Sequence, residues 1–414
     1  MFTFVPAPTE PTLRWSARAH SIAEIETELS RIWASQDMAV RVEGETTRHI
    51  AARTNVMNLI VVARRPEFAE KCAATVQMLT GRHPSRTIVI QSADPDGPSW
   101  LDARVEAHCV MPRPDAPETC AETIHVTCGG ESGRHVAAIA TPLIIHDLPV
   151  TVWWPGEPPL TSPAAQELLD GADRLVVDGS TWSGDGLARL REMAAIQEST
   201  RLAISDFALM RQSRWREAIA SIFDDPEFLP YLRSLRRIAV TYGTHDETGV
   251  FGSTNLVKPI YHVGWLASRL GLAVEKPLSI GGGRPASAAR PARGAAGKPT
   301  MGRGLVATLS DGRADVAVVV RPVMSTMPAG TTLRVELLAE RRGSEMRADV
   351  TAEAETVHVR VWQDGVEVLD RHFRAPRRTD SDLLTEAIES GRRDPVAVGA
   401  LRAAASLIPD GGPA

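Results

Sequence analysis

Apolar residues change their spacing along this chain, and each change marks an element. "SIAEIETELSRIW" sets Ile22, Ile25, Leu29 and Ile32 at helical spacing behind Ser21, a residue type that caps helices well. "NLIVVA" (58–63) is instead an unbroken apolar run, the pattern of a strand buried on both faces. "PEFAEKCAATVQMLTGRH" follows as a helix with Pro66 in its first turn and Gly81 near its end, and "RTIVIQ" is a second apolar run. Strand, helix and strand with short joins predict a parallel sheet. "DARVEAHCVMP" and "CAETIHVTC" alternate as strands. A Gly-rich turn and a helix ending near His146 then lead to the strand "LPVTVWWP", the helix "PAAQELLDG", the strand "RLVVDGS" and the helix "GLARLREMAAIQ".

The pattern shifts in the second half. Trp215, Ile219, Ile222 and Phe223 form an apolar helical stripe, followed by the strand "RRIAVTYG" and the helix "NLVKPIYHVGWLASRLG", which Gly271 stops. Residues 281–304 are basic, Gly- and Ala-rich and free of large apolar side chains except Met301, as in a flexible loop. From Leu305 to Phe373 short strands alternate with turns such as "RRGSE" and "WQDGVEV", and "SDLLTEAIESGRR" is a closing helix. The predicted fold is α/β: a Rossmann-like open, mostly parallel sheet domain followed by an α+β domain with antiparallel strands. The boundaries fall at an N-terminal extension with one helix (1–45), the sheet domain (46–198), the α+β domain (199–398) and a C-terminal tail (399–414). The sequence contains no internal repeat.

Composition narrows the functional classes. With 414 residues, 43% of them hydrophobic, and a net charge of −5, the chain offers no overall electrostatic case for nucleic acid or an anionic membrane. Four cysteines in this length do not make a disulfide scaffold and point to a reducing compartment; their spacing alone brings no two sulfurs together. The apolar stretch from Val136 to Trp154 is broken by Pro142, His146-Asp147 and Pro149, so it reads as a helix and a buried strand, not a membrane span. The N-terminus lacks the features of a signal peptide, and a soluble cytoplasmic protein is expected.

Chemical candidates are few. "TIHVTCGGESGRHVAAI" places Gly129, Gly130, Gly133 and Arg134 between strand and helix, where backbone N–H groups can hold a phosphate, with Glu157 as a ribose-binding acid. Cys128 occupies the position of the first glycine of G-x-G-x-x-G, however, and the simpler reading is that glycines end a strand and let a helix pack closely. "GAAGKPT" lacks P-loop spacing and follows no strand. His108, Cys109, Cys120, His125, Cys128 and His135 crowd together without zinc-ligand spacing, so no metal is expected. G-x-S-x-G is absent, and no acid–base pair is positioned for catalysis; neither a catalytic residue nor a cofactor is expected. His146 or Asp147 is expected to satisfy backbone groups ahead of the strand. Trp153 and Trp154 point to opposite faces of that strand, so one of them, with Pro155 and Glu157 of the stiff "WPGEPP" loop, is a candidate anchor for a protein partner. Arg211, Arg214 and Arg216 are candidates for contacting an acidic partner surface.

"HPSRTIVI", "LPVTVWWPGEPP", "RLVVDGSTW", "WREAIASIFDDP" and "GWLASRLG" occur in that order. In this the chain resembles the glucose-6-phosphate dehydrogenase assembly protein family, OpcA, over roughly residues 55–373. The resemblance implies a non-catalytic accessory protein that binds glucose-6-phosphate dehydrogenase and promotes its active oligomer. Such a role supports the oxidative pentose phosphate pathway and NADPH supply. The 281–304 loop looks like an insertion relative to other members. The alternative is a nucleotide- or sugar-phosphate-binding enzyme or sensor using the turn 129–134.

Overall fold

A computed structural model describes residues 11–35, 39–41, 48–50, 54–93, 96–111, 118–245, 254–281, 304–353, 355–390 and 393–411. The loop expected at 281–304 lies outside the described residues apart from its two end glycines. The chain divides into two units, one of residues 1–177, 201–205 and 379–392, the other of 178–200, 206–378 and 393–414. The division thus begins at 177, where the apolar pattern had set a single boundary at 198. Helix Leu187–Ser199 belongs to the second unit and helix Asp380–Glu389 to the first.

The first unit carries β1 (Thr12–Ala19), a short ribbon of β2 (Ala39–Arg41) and β3 (Arg48–Ile50), β4 (Met57–Ala63), β5 (Ser85–Ser92), β6 (Trp100–Val110), β7 (Thr119–Gly129), β8 (Val150–Trp154), β9 (Arg174–Val177) and β10 (Ala203–Asp206). Among the described residues its main sheet runs β1-β6-β7-β5-β4-β8-β9-β10. The pairs β7–β5, β5–β4, β4–β8 and β8–β9 are parallel. Counted along the chain, those strands stand third, second, first, fourth and fifth, which is the Rossmann order. β6 and β1 extend one edge in antiparallel fashion. Residues 12–19, within the expected N-terminal extension with one helix, are therefore an edge strand.

A parallel sheet covered on both faces needs apolar residues at successive positions, and β4 and β8 are buried along their whole lengths. Asn58 is the polar exception within β4. Its side chain accepts from Ile145 N (2.7 Å) and donates to Ile145 O (2.9 Å) and Leu148 O (3.3 Å). This task had been expected of His146 or Asp147; both are exposed, and Asp147 turns the chain at φ 66°. The expected helix up to His146 breaks into Glu131–Arg134, Val136–Ala140 and a 3-10 turn, Thr141–Leu143. Pro142, which has no N–H, stands where that break occurs. Glu122 of β7 is fully buried and accepts from Arg86 Nε (2.6 Å), Trp33 Nε1 (2.5 Å) and Asn55 Nδ2 (3.1 Å), so its charge is paired and saturated.

The second unit carries β11 (Leu235–Thr244), β12 (Ala273–Gly281), β13 (Gly304–Ser310), β14 (Asp315–Met324), β15 (Thr332–Arg341), β16 (Ser344–Ala352), β17 (Thr356–Gln363) and β18 (Val366–Arg374). Its sheet runs β12-β13-β14-β11-β15-β16-β17-β18 among the described residues. The β11–β14 pair is parallel and the other pairs are antiparallel. Arg342-Gly343 and Asp364-Gly365 have positive φ at both positions (52° and 82°, 50° and 83°), as two-residue hairpins require. A helix, Pro395–Ser406, capped by Asp394, runs across the expected start of the C-terminal tail at 399. It packs so closely on helix Val257–Leu270 that a Cβ at Gly264 would lie 2.6 Å from Ala400 O.

Trp153 illustrates the dependence on core packing. It is 2% exposed and stands between Val61 and Val176 in the sheet register. Trp153→Ala is expected to lower the stability of its unit by about 3–5 kcal/mol. Urea denaturation followed by circular dichroism measures this, and a loss below about 1 kcal/mol would contradict the burial.

Candidate functional site

In a sheet of Rossmann order, ligands bind beyond the carboxyl ends of the strands where the chain order reverses, here between β4 and β8. After β4 the chain reads Ala63-Arg64-Arg65-Pro66-Glu67-Phe68, with no glycine. Helix Pro66–Gln77 begins at once, with Arg65 as a cap that makes no side-chain capping bond. Pro66 removes an N–H from the first turn, and the N–H groups of Phe68 and Ala69 are directed to Arg65 O (3.1 and 3.2 Å). Glu67 adds negative charge in that same turn. A pyrophosphate needs open N–H groups there, so this turn is poorly suited to one even though Arg64 and Arg65 bring positive charge.

What the carboxyl edge does present is a firm, mixed surface. The Arg65 guanidinium lies 4.2 Å from the centre of the Phe68 ring and 3.4 Å from the Glu67 carboxylate. Phe68 also lies 3.9 Å from where a Cβ on Gly156 would be, so the loop after β8 adjoins it. Arg64 is exposed, Glu157 half-buried and Pro155 buried. The two tryptophans proposed as anchors are inside: Trp153 and Trp154 are 2% and 4% exposed. β8 has paired strands on each side and a covered surface on each face, so neither indole reaches solvent. That is a correction to the reading of Trp153 or Trp154 as a projecting anchor.

The Gly-rich turn follows β7, the third strand of the parallel set, and its glycines have packing reasons. A Cβ on Gly129 would lie 2.4 Å from Trp100 Nε1, one on Gly130 (φ 60°) 2.6 Å from Gly97 O, and one on Gly133 2.8 Å from Ser92 Oγ. The helix they introduce is only Glu131–Arg134, and Arg134 pairs with Asp96 at 2.7 Å. Close approach of neighbouring chain accounts for all three glycines without a ligand.

The arginines divide between inner and outer roles in the second unit. Arg211 donates to Asp178 Oδ2 (2.7 Å) and Ser180 Oγ (3.3 Å), and Arg216 donates to Leu209 O (2.6 Å). Both are half-buried and tie down local backbone. Arg214 is exposed and pairs with Glu217 at 2.6 Å. Beside Arg211 lies a polar clamp absent from the sequence-based candidates. Asp206 Oδ1 accepts from Gly179 N and Ala208 N, each at 2.8 Å, and Asp206 Oδ2 accepts from Tyr261 Oη at 2.9 Å. Asn255 Nδ2 donates to Gly179 O (2.8 Å) and Trp182 O (3.1 Å). Burial raises the Asp206 carboxyl to about 6, against the pull of its backbone donors. Burial and the neighbouring Asp206 hold the Tyr261 phenol well above its ordinary range, so it remains a donor. The clamp fixes the turns after β9 and β10; both oxygens of Asp206 are committed to internal donors. Its trace in the sequence was an Asp at the end of each of two short strands, in "VVDG" and "ISDF".

The crowded histidines and cysteines also resolve into pairs. Cys109 and Cys120 are directly opposed across β6 and β7 and form a disulfide, a pairing that spacing alone did not reveal. Burial pushes the Cys72 thiol up to about 12 and the Cys128 thiol up to about 11, which suppresses their thiolates. His125 lies 3.3 Å from Glu106, and His135 lies 2.9 Å from Glu131.

Comparison with known proteins adds a family context. Residues 76–195 match the family described as glucose-6-phosphate dehydrogenase subunit N-terminal domain, and residues 202–400 its C-terminal domain. A protein of Synechocystis sp. named OxPP cycle protein OpcA is 26% identical over 195 residues, covering 46% of this chain and 38% of that relative. Its namesake in Synechococcus elongatus is 26% identical over 177 residues, 42% of this chain and 37% of the relative. The matched stretch thus spans well under half the length of these relatives. Among solved structures, the aldose-aldose oxidoreductase of Caulobacter crescentus has a TM-score of 0.42 at 13% identity, over 85% of this chain and 94% of that one. An NAD binding oxidoreductase of Klebsiella pneumoniae has a TM-score of 0.40 at 10% identity, over 84% and 93%. Likeness at this level carries nothing about activity.

The clamp generates a pH-dependent expectation. Because the Asp206 carboxyl is raised on folding, the folded protein holds its proton more tightly than the unfolded chain. Its contribution is fully present below the ordinary carboxylate range and is lost as pH rises through about 6. Asp206→Asn keeps an acceptor for the two N–H groups and removes this dependence. Relative to the wild type, the variant is expected to gain stability between about pH 4 and pH 7 in paired urea titrations. An unchanged difference across that range would contradict the assignment.

Proposed function

The chain belongs to the OpcA family of glucose-6-phosphate dehydrogenase assembly proteins, and we propose that it is a non-catalytic partner that binds this dehydrogenase and favours its active oligomer. In this reading it serves the oxidative pentose phosphate pathway and its NADPH output without performing a reaction of its own. The observation that carries the proposal is the turn between β4 and its helix. A Rossmann-ordered sheet has Pro66 and Glu67 where dinucleotide binding by such a sheet needs glycines and open N–H groups. The fold then serves as a platform, and its carboxyl edge serves as a surface.

A partner that binds only the assembled form stabilises that form by its differential affinity and needs no chemistry. Arg64, Arg65 and Phe68, beside the loop of Pro155, Glu157, Pro158 and Pro159, supply an arginine–aromatic patch on stiff backbone. Such patches lose little conformational entropy on binding and are enriched among energetically dominant contacts. Arg214, exposed on the second unit, is a further contact candidate. No helix among the described residues is long and apolar enough to cross a membrane.

Two measurements test the proposal. Gel filtration of the chain with glucose-6-phosphate dehydrogenase should yield a co-eluting complex, and Arg64→Glu/Arg65→Glu should weaken it by at least about tenfold, or about 1.4 kcal/mol. The same variant should remain within about 1 kcal/mol of the wild type in stability. Thermal shift with NADP, NAD, ATP and glucose 6-phosphate should leave the melting temperature unchanged. A clear shift with any of them would favour a ligand-binding sensor, and failure to form a complex would overturn the assembly role.

A further inference from the structure

The hairpin at the outer edge of the second unit's sheet gathers two histidines and two carboxylates. His358 of β17 and His372 of β18 are directly opposed in register, and their rings stack 4.0 Å apart at an interplanar angle of 11°. The stack sets both Nδ1 atoms at the same end of the ring pair, with their lone pairs side by side. Glu353, just after β16, lies there: Oε1 is 3.6 Å from His358 Nδ1 and Oε2 is 3.4 Å from His372 Nδ1. At the opposite end of the rings, Asp370 Oδ1 is 2.8 Å from His358 Nε2 and 3.9 Å from His372 Nε2.

The two carboxylates have different positions in this cluster. Asp370 lies at hydrogen-bond distance from His358 Nε2, and Nδ1 at the other end of the ring is the nitrogen that faces Glu353. Thr356 Oγ1 donates to Glu353 Oε2 at 2.6 Å, which anchors the carboxylate. The arrangement is that of a carboxylate–histidine–metal relay, in which an outer carboxylate orients the imidazole toward an ion.

We propose that Glu353, His358 and His372 bind a divalent transition-metal ion of the zinc class, with Asp370 and Thr356 as orienting groups. Their donor atoms lie within 4.8 Å of one another, and tetrahedral zinc bonds of about 2.0–2.1 Å place donors roughly 3.3 Å apart. Coordination by both rings requires His372, 52% exposed, to tilt out of the stack, while Glu353, 44% exposed and held through Oε2 by Thr356, presents Oε1. His358, at 16%, is the fixed member of the set. Two imidazole nitrogens and one carboxylate oxygen suit zinc better than magnesium or calcium, which prefer oxygen. A fourth position remains for water or for an acceptor on a partner surface.

The test is calorimetric titration of the full chain, purified without a histidine tag and stripped with a chelator, using zinc chloride alone. One zinc per chain should bind, and Glu353→Gln, His358→Gln and His372→Gln should each weaken binding by at least about tenfold. Asp370→Asn should weaken it while retaining the stoichiometry. Cobalt(II) loading should give visible d–d absorption that disappears in the His358→Gln/His372→Gln double variant. Circular dichroism establishes that these variants keep the fold. The proposal is overturned if no saturable single-site binding occurs, or if the folded double variant binds zinc as the wild type does.

Discussion

Covering the parallel sheet on both faces is the constraint from which much of the first unit follows. β4 and β8 lie side by side at its centre, and every residue of both strands is buried. Such strands have no solvent face, so Trp153 and Trp154 are covered despite pointing in opposite directions. Polar groups admitted to this region must be satisfied internally. Asn58 meets the backbone ahead of β8, and Glu122 is paired with Arg86 and bonded by Trp33 and Asn55. The sheet therefore offers its chemistry at the strand ends and edges.

The first β–α turn differs in make-up from that of a dinucleotide-binding sheet of the same strand order. Close approach by a pyrophosphate depends on glycine and free N–H groups in the first β–α turn. Here Pro66 starts the helix, Glu67 brings negative charge into it, and Arg65 O accepts the nearby N–H groups. In the second unit, the Asp206 clamp is likewise occupied by its own fold, with both oxygens bonded internally.

Elements with strong periodicity were legible in the sequence. The helix behind Ser21, the apolar runs of β4 and β5 and the tight turns at Gly343 and Gly365 all follow local rules. β1 was harder to see: Leu13, Trp15, Ala17 and Ala19 alternate with polar residues, yet the strand lies at an edge behind several prolines, and its burial rises only toward Ala19. The final helix was missed because "PVAVGALRAAAS" has small residues in place of a bulky apolar stripe; Gly264 and the alanines allow close helix packing instead. The Cys109–Cys120 pairing, the Asp206 clamp and the His358–His372 stack depend on register or on contacts distant in sequence, which local spacing does not encode. Aromatic bulk was a misleading guide to Trp153 and Trp154, because it marks cores as readily as interfaces.

The most direct measurement is the steady-state activity of glucose-6-phosphate dehydrogenase from the same organism, held at limiting concentration and titrated with this protein, with oligomer mass followed by sedimentation. The assembly role predicts that activity rises to a plateau as a larger assembly containing both proteins accumulates, while this protein alone reduces no NADP in the presence of glucose 6-phosphate. Unchanged activity and mass at saturating protein, or turnover by this protein alone, would contradict it.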